Sequence, residues 1–582
     1  MRIKKKILPL LSLTVLTTAM ATTASGYEVT DQIIVQFDNP YTDGKQRASG
    51  LSKQLGKKLD FVRITSSGAY VYKLPSREAL PNIHGYVTAI SAVTGVKKAE
   101  ADQILKRGAL PNPPADGTFT IGTAYDLQWH YHSAAGGMNA VGAWNQFNVS
   151  EGPVTVAVLD TGIATHSDIA NGTVNNLVPG FDTITDVYTA NDGDGPDSDP
   201  SDPGDWLEVA ECGNSEFEAS SWHGTHVTGT IAAITNNGQG VASVGYNLLK
   251  VMPVRVLGKC GGYLSDIADG IYWAADPANP NQAKVINMSL GGGGSCSFTF
   301  QNAIDQAVAW GSTVVVAAGN SGLNASNYQP ASCDKVVTVA AVNPDGGRAY
   351  YSNYGNAVDL AAPGGDASYG STGMVLSTLN SGQRTPEAEG YAFYQGTSMA
   401  SPHVAAVAGL LYVKNPAITP AEVESILTST AKTFPASCSQ CGAGILDAGA
   451  AVAAVDTTPQ PQAPEAPSSA VATGGEGQIS LSWNDNSDNE DSFTIQRSKK
   501  LKGKRWEAYA PVGSVGADVT SFDDSSLESG TYRYRVNASN SVGTSAWSVS
   551  NSAEATTADS GDGGGGGNGN DGSCKGGPKR CP

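Results

Sequence analysis

Five runs of apolar, largely β-branched residues, at 154–159, 248–256, 285–290, 313–318 and 336–342, recur between residues 120 and 455, with helix-like stretches of small residues between them. They lack the in–out alternation of a strand with one wet face, so each predicts a strand buried on both sides. Candidate helices cover 263–275, 299–310 and 402–412. Strands alternating with helices imply an α/β fold in which a mostly parallel sheet is covered on both faces. Polar chemistry in such sheets gathers beyond the C-terminal ends of the strands.

Three motifs fall where that rule points. The run 154–159 delivers Asp160-Thr161-Gly162 at its end, and His223-Gly224-Thr225-His226 opens a small-residue helix. Gly396-Thr397-Ser398-Met399-Ala400 is a glycine turn into a helix without a charge until Lys414, and Pro402 is expected in its first turn, where a missing N–H is tolerated. A serine hydroxyl becomes a nucleophile when an imidazole takes its proton, and the imidazole needs a carboxylate to hold its tautomer. Asp160, His223 and Ser398 supply the three groups. Asn320, just past the run 313–318, offers a side-chain amide that can stabilise an oxyanion; standing alone it would read as a turn residue. Ser289-Leu290-Gly291-Gly292 follows another strand and reads as an edge for pairing an extended peptide, or else as a flexible glycine loop.

In order and setting, these motifs resemble the three signatures of the subtilisin-like serine proteases, the subtilases, over roughly residues 120–455. The resemblance implies a subtilisin-like three-layer domain that hydrolyses polypeptides through an acyl-enzyme. In it Ser398 attacks, His223 is base and then acid, and Asp160 orients His223. Asn320 pairs with the Ser398 N–H at the oxyanion. Ser289, Leu290 and Gly291 bind substrate backbone, and Ala318 and Gly319 flank the S1 pocket. No charged residue stands near 324–328 at the expected pocket floor, which favours an uncharged, apolar P1 residue. His226 and His403 are expected to be packed structural histidines.

Calcium is the expected cofactor. Asp192, Asp194, Asp197, Asp199 and Asp202 crowd one loop, where their repulsion is relieved by a hard cation; a solvated acidic loop is the alternative. The loop lacks the twelfth-position glutamate of an EF-hand, and Asp182 and Asp205 are further candidates for it. A second ligand set is implied only by the resemblance to thermitase-like subtilases: Asp168, Ile234, Asn237, Gln239 and Val241.

The N-terminus has Arg2 and three lysines before an apolar run ending near Ala19-Met20-Ala21, the layout of a signal peptide and too short for a stable membrane span. The expected organisation is a signal peptide over 1–26, a small α+β propeptide over 27–117 that inhibits the enzyme, and a catalytic domain over 118–455. A linker over 456–470 follows, then an all-β fibronectin type III-like sandwich over 471–557 and a glycine-rich tail over 558–582. Export suits eight cysteines, for which sequence neighbours are the expected partners: 212 with 260, 296 with 333, 438 with 441 and 574 with 581. Six cysteines alone allow fifteen connectivities.

Residues 1–117 hold 16 Lys+Arg and 9 Asp+Glu, leaving 20 against 45 in the remainder, a balance of −25 that argues against nucleic-acid binding. The expected protein is a secreted monomer acting on polypeptides, with matrix protein or carbohydrate as a candidate partner of the sandwich. Two rivals stand beside it: a serine esterase or peptide ligase on the same scaffold, and a catalytically silent adhesin.

Overall fold

A computed structural model describes residues 29–38, 43–107, 127–147, 152–455, 463–503 and 505–556. The expected signal peptide, the maturation junction, most of the linker and the tail with Cys574 and Cys581 lie outside them. The chain divides into two compact units, up to Thr457 and from Thr458 onward.

The first unit begins with a four-stranded antiparallel sheet in the order β2-β3-β1-β4. Its elements are β1 (Val29–Phe37), α1 (Gly44–Leu55), β2 (Asp60–Ile64), β3 (Tyr70–Ala79), α2 (Leu80–Ser91) and β4 (Val96–Ala101). Ala48, Leu51, Ile83 and Ile90 of the helices pack with Ile33, Val35, Tyr70 and Tyr72 of the strands in a core of their own. A short strand, β5 (Ile104–Arg107), leads away from this sheet.

After α3 (Trp129–His132), the rest of the first unit is built on a seven-stranded sheet, ordered β15-β14-β12-β10-β6-β8-β7 and parallel throughout. Its elements are β6 (Val154–Asp160), β7 (Phe181–Asp182), α4 (His223–Ala232), β8 (Leu249–Arg255), β9 (Gly262–Tyr263), α5 (Leu264–Ala275), β10 (Val285–Met288), β11 (Leu290–Gly293), α6 (Phe298–Ala309), β12 (Thr313–Ala317), β13 (Tyr328–Gln329), β14 (Val337–Val342), β15 (Leu360–Pro363), β16 (Val375–Asn380), β17 (Glu389–Tyr394) and α7 (Thr397–Lys414).

The unbroken apolar runs follow from the layering. Val156, Val158, Val315 and Val339 face the core shared with α4 and α7, while Ala157, Leu159, Val314 and Val316 face the core under α5 and α6. The run 285–290 is two strands: β10 ends at Met288, and β11 leaves the main sheet to pair with β5 and β13. Two edge strands escaped the sequence reading, β7 because it has only two residues and β15 because Pro363 reads as a breaker.

The sulfurs of Cys212 and Cys260, Cys296 and Cys333, and Cys438 and Cys441 are bonded. Among the described residues no helix is long and apolar enough to cross a membrane. The second unit has two antiparallel sheets, β18-β19-β22 and β21-β20-β23-β24, made of β18 (Ser468–Gly474), β19 (Gln478–Asn484), β20 (Ser492–Lys499), β21 (Ala510–Gly516), β22 (Ser521–Ser525), β23 (Gly530–Ser539) and β24 (Ser548–Ala555). They enclose Trp483, Phe493 and Tyr534, and the Tyr532 hydroxyl donates to the Glu528 carbonyl at 3.0 Å.

Candidate active site

Ser398 is the second residue of α7, and Pro402 lies in the helix's second turn because the helix starts as early as Thr397. Having no N–H, Pro402 leaves the Ser398 carbonyl without its helical donor. The Ser289 hydroxyl takes that place at 2.8 Å, and the Ser398 hydroxyl donates back to the Ser289 carbonyl at 3.0 Å. Asn287, at the end of β10, donates to the Ser289 hydroxyl at 3.0 Å and accepts from Ser401 at 2.7 Å. A proline that would weaken an isolated helix here opens a place for the sheet to grip the serine.

Asn320 is oriented by Thr397, whose N–H and hydroxyl both donate to Oδ1 at 2.8 Å. That turns Nδ2 the other way. A Cβ placed on Gly396 would lie 3.5 Å from Asn320 Nδ2 and 3.5 Å from the Ser398 nitrogen, so a side-chain donor and a helix-start donor border the same small space. Asn353, which the sequence reading missed, fixes the approach. It donates to the Ala318 carbonyl at 2.8 Å and accepts from the Ser321 and Leu323 N–H groups at 3.1 and 2.9 Å.

Asp160 ends β6, and both of its oxygens meet His223 Nδ1, at 2.8 and 2.9 Å. Both residues are fully buried. That contact fixes the tautomer with Nδ1 protonated, leaving Nε2 as an acceptor. Among the described residues Nε2 has no partner, the Ser398 hydroxyl being turned to Ser289.

The expected substrate edge is paired with another strand of the chain. β5 pairs antiparallel with β11, Leu290 opposite Arg107 and Gly291 opposite Lys106, and on its other side with β9. A pocket of about 180 Å³ opens beside it, lined by Leu290, Gly291, Ala318, Gly319, Tyr328 and Ser398 among others. Glycine, alanine, Leu290 and the Tyr328 ring share its walls with the polar Asn320, Ser321, Gln329 and Thr397, and its one charged lining residue is Lys106 of β5.

Residues 152–444 match the description of the Subtilase family. The chain belongs to the subtilase family. An extracellular protease of Xanthomonas campestris is 50% identical to this subtilase over 374 residues, 63% of the chain and 60% of the relative's own length. An extracellular basic protease of Dichelobacter nodosus is 41% identical over 449 residues, covering 72% of the chain and 70% of the relative. Among solved structures, a protease of Pseudoalteromonas arctica is 54% identical, with a TM-score of 0.55, and covers 60% of this chain and all of its own. Fervidolysin of Fervidobacterium pennivorans shares the fold at 22% identity and a TM-score of 0.53, over 88% of the subtilase chain.

The two expected calcium sets differ in the subtilase. Loop 234–241 folds round Asp168: the Ile234 N–H donates to its carbonyl at 2.6 Å, and the Asn237 amide and Val241 N–H donate to its carboxylate at 2.6 and 2.9 Å. Gln239 reaches the Ser167 hydroxyl at 3.4 Å. Burial pushes the Asp168 carboxyl up to about 6.

The acidic loop, by contrast, spends its carboxylates singly. Asp192 and Asp182 both contact the buried Arg255 guanidinium, Asp197 and Asp199 accept from N–H groups two residues on, and Asp202 accepts from Thr161 and Gly204. The Asp194 N–H donates to Asp192. Among the described residues, only Asp485, Glu490 and Asp518 of the second unit bring three acidic groups within 4.8 Å of one another. The signal for that trio, Asp485-Asn486-Ser487 followed by Glu490, was in the sequence and passed over.

His226 stacks on Tyr394 with ring centroids 4.6 Å apart, and its Nε2 lies 3.0 Å from the Ala392 carbonyl. His403 meets the Met399 carbonyl through Nδ1 at 2.7 Å and His130 through Nε2 at 2.8 Å. Burial lowers them to about 3 and about 4, so both are neutral at ordinary pH.

Proposed function

We propose that the protein is a secreted, calcium-dependent serine endopeptidase made as a self-processing precursor. The observation that carries the reading is the bare His223 Nε2 behind a carboxylate-held Nδ1, with Asn320 Nδ2 and the Ser398 nitrogen both close to Gly396.

The Ser398 hydroxyl swings from the Ser289 carbonyl to His223 Nε2 and attacks the scissile carbonyl as the imidazole takes its proton. Asp160 stabilises the imidazolium. Charge developing on the carbonyl oxygen meets these two donors, each present before reaction and needing no reorganisation. His223 then protonates the leaving amine, and water enters by the reverse route to release the acyl group.

Substrate backbone pairs with Ser289–Gly291 as β5 does, and Tyr328 sets the depth of a pocket suited to small or medium apolar P1 side chains. Residues 27–117 act as inhibitor through β5, with the mature chain starting between 108 and 122. The donor set of Asp168, Asn237, Gln239 and the Ile234 and Val241 carbonyls is all hard oxygen, and Asp168 is a buried carboxylate without a cationic side chain among its hydrogen-bond partners, so the set fits calcium. Bound there, calcium supplies charge compensation and stiffness at the far end of the helix that carries His223. Chelation is expected to lower the thermal unfolding midpoint. Asp194, Asp197 and Asp199 remain the loop carboxylates available to a further ion.

The domain over 471–557 is read as a fibronectin type III-like module, with Tyr532 as its corner tyrosine, serving as a spacer or binding matrix protein or carbohydrate. The test is the intact mass of the secreted wild type beside Ser398→Ala, with calcium present and other proteases inhibited. Loss of about the first 110 residues by the wild type alone supports the reading; equal maturation of both forms removes self-processing from it.

A further inference from the structure

Residue 222 is a tryptophan held at φ 49°, ψ 32°, a left-handed conformation unfavourable for a bulky L side chain, and it immediately precedes His223. Strain at that point persists only if both neighbours are gripped. The grip comes from the loop whose aspartates look, in sequence, like calcium ligands.

Asp205 accepts from the Ser221 N–H at 2.7 Å and from the Ser221 hydroxyl at 2.8 Å, and that hydroxyl accepts from the His223 N–H at 3.3 Å. Tyr394 donates to the Ser221 carbonyl at 2.9 Å, and the Trp222 indole donates to the Gly382 carbonyl at 2.7 Å. Asp202 acts on the other side. The Thr161 hydroxyl donates to it at 2.7 Å and accepts from the Gly224 N–H at 3.0 Å, tying the residue after Asp160 to the residue after His223.

Asp202 is itself anchored by the Gly204 N–H at 2.9 Å and by its own N–H on the Ile163 carbonyl at 3.0 Å. Both aspartates are 2% exposed. A Cβ on Gly162 would lie 2.5 Å from the Pro200 carbonyl, and one on Gly224 would lie 2.2 Å from the Gly162 carbonyl, so strand end, loop and helix start are in direct backbone contact.

We propose that Asp202 and Asp205 are positioning residues for proton transfer: two buried carboxylates that, through Thr161 and Ser221, hold the strained entry to α4 so that the His223 imidazole stays aligned between Asp160 and Ser398. The proposal rests on His223 being the base. It gives these two loop residues a role that involves no cation, and it applies to turnover rather than to substrate binding, because neither touches the substrate edge.

The test uses full-length precursors of wild type, Asp202→Asn, Asp205→Asn, Asp205→Ala and Ser221→Ala. Each is cut by an immobilised metalloprotease, so that maturation does not depend on the variant's own activity. kcat and KM are measured on a soluble peptide anilide across a calcium titration, with folding followed by thermal unfolding. Asp205→Ala and Ser221→Ala are expected to lower kcat about ten- to hundredfold with KM within about twofold, the scale of a misplaced catalytic group. Asp205→Asn should recover part of the loss, since its amide oxygen still accepts from the Ser221 N–H.

Unchanged kcat in folded Asp205→Ala or Ser221→Ala overturns the proposal, as does a loss that raised calcium restores or one carried by KM. Ser221→Ala removes only a hydroxyl and keeps the test decisive if the aspartate variants do not fold. An inactive wild type would instead remove the peptidase reading, a result separate from any of these.

Discussion

At the start of α7 the Ser398 nitrogen and the Asn320 amide both border Gly396, the place proposed for an oxygen that is negative only during reaction. At the starts of α5 and α6 the equivalent N–H groups already hold carboxyl groups from β4 and the residue after it. Asp102 accepts from the Ser265 N–H at 2.9 Å, and Glu100 accepts from the Phe298 and Thr299 N–H groups at 3.2 and 3.1 Å. Arg63 adds an ion pair to Asp266 at 2.8 Å. The backbone offers the same partial charge in both places. A carboxyl group held there turns it into a dock, while an oxygen charged only during the proposed reaction would make it a catalyst, and the two should respond to different changes.

The largest expected effect is on the cleft alone. Ser398→Ala should lower kcat by about 10⁶ while leaving the affinity for the released N-terminal segment unchanged; a parallel loss of that affinity would break the distinction. Asn320→Ala is expected to cost about 10² to 10³ in kcat with little change in KM, read on the same peptide anilide.

The dock should answer to pH instead. Burial holds the docked Glu100 and Asp102 carboxyls up at about 7, whereas the free segment titrates in the ordinary carboxylate range. Docking therefore takes up protons, and its contribution is complete at low pH and lost as pH rises through about 7. The dissociation constant of the segment should rise about tenfold per carboxylate between pH 6 and pH 8, measured by titrating inhibition of the mature enzyme. Glu100→Gln with Asp102→Asn should flatten that dependence without touching the mature kcat. A pH-independent wild type would put the carboxylates outside the dock's energetics. The smallest effect concerns pocket depth: Tyr328→Gly should shift kcat/KM towards larger apolar P1 residues by roughly 1 to 3 kcal/mol, comparing alanyl and phenylalanyl substrates.

The cleft was the more legible of the two regions. Asp160, His223 and Ser398 each sit in a short motif at a strand end or helix start, and the parallel sheet follows from runs apolar on both faces. Pro402 was placed a turn too early because the sequence does not reveal the hydroxyl of Ser289 standing in for its missing N–H. Asn353 went unseen because a lone buried asparagine carries no periodic signal, only long-range bonds. In the acidic loop, five aspartates within eleven residues suggest a shared cation, while the sequence hides their hydrogen-bonding partners, Arg255, Thr161 and the loop's own turns. The dock's two carboxylates gave no sign, since helix starts acquire ligands only in three dimensions.

The order of assembly follows from where along the sequence the site's partners lie. Asp160 meets His223 across 63 residues, Asn320 meets Thr397 across 77, and Ser289 meets Ser398 across 109. The last of these pairs cannot form until residue 398 has been added to the chain. The N-terminal sheet closes within residues 29–101, as Ile33 pairs with Ala101. A ribosome releasing the chain from its N-terminus completes that sheet long before residue 398 exists. The Ser398 side of the site is thus completed after the N-terminal sheet, and β5, the strand that pairs with β11, is already made when it is.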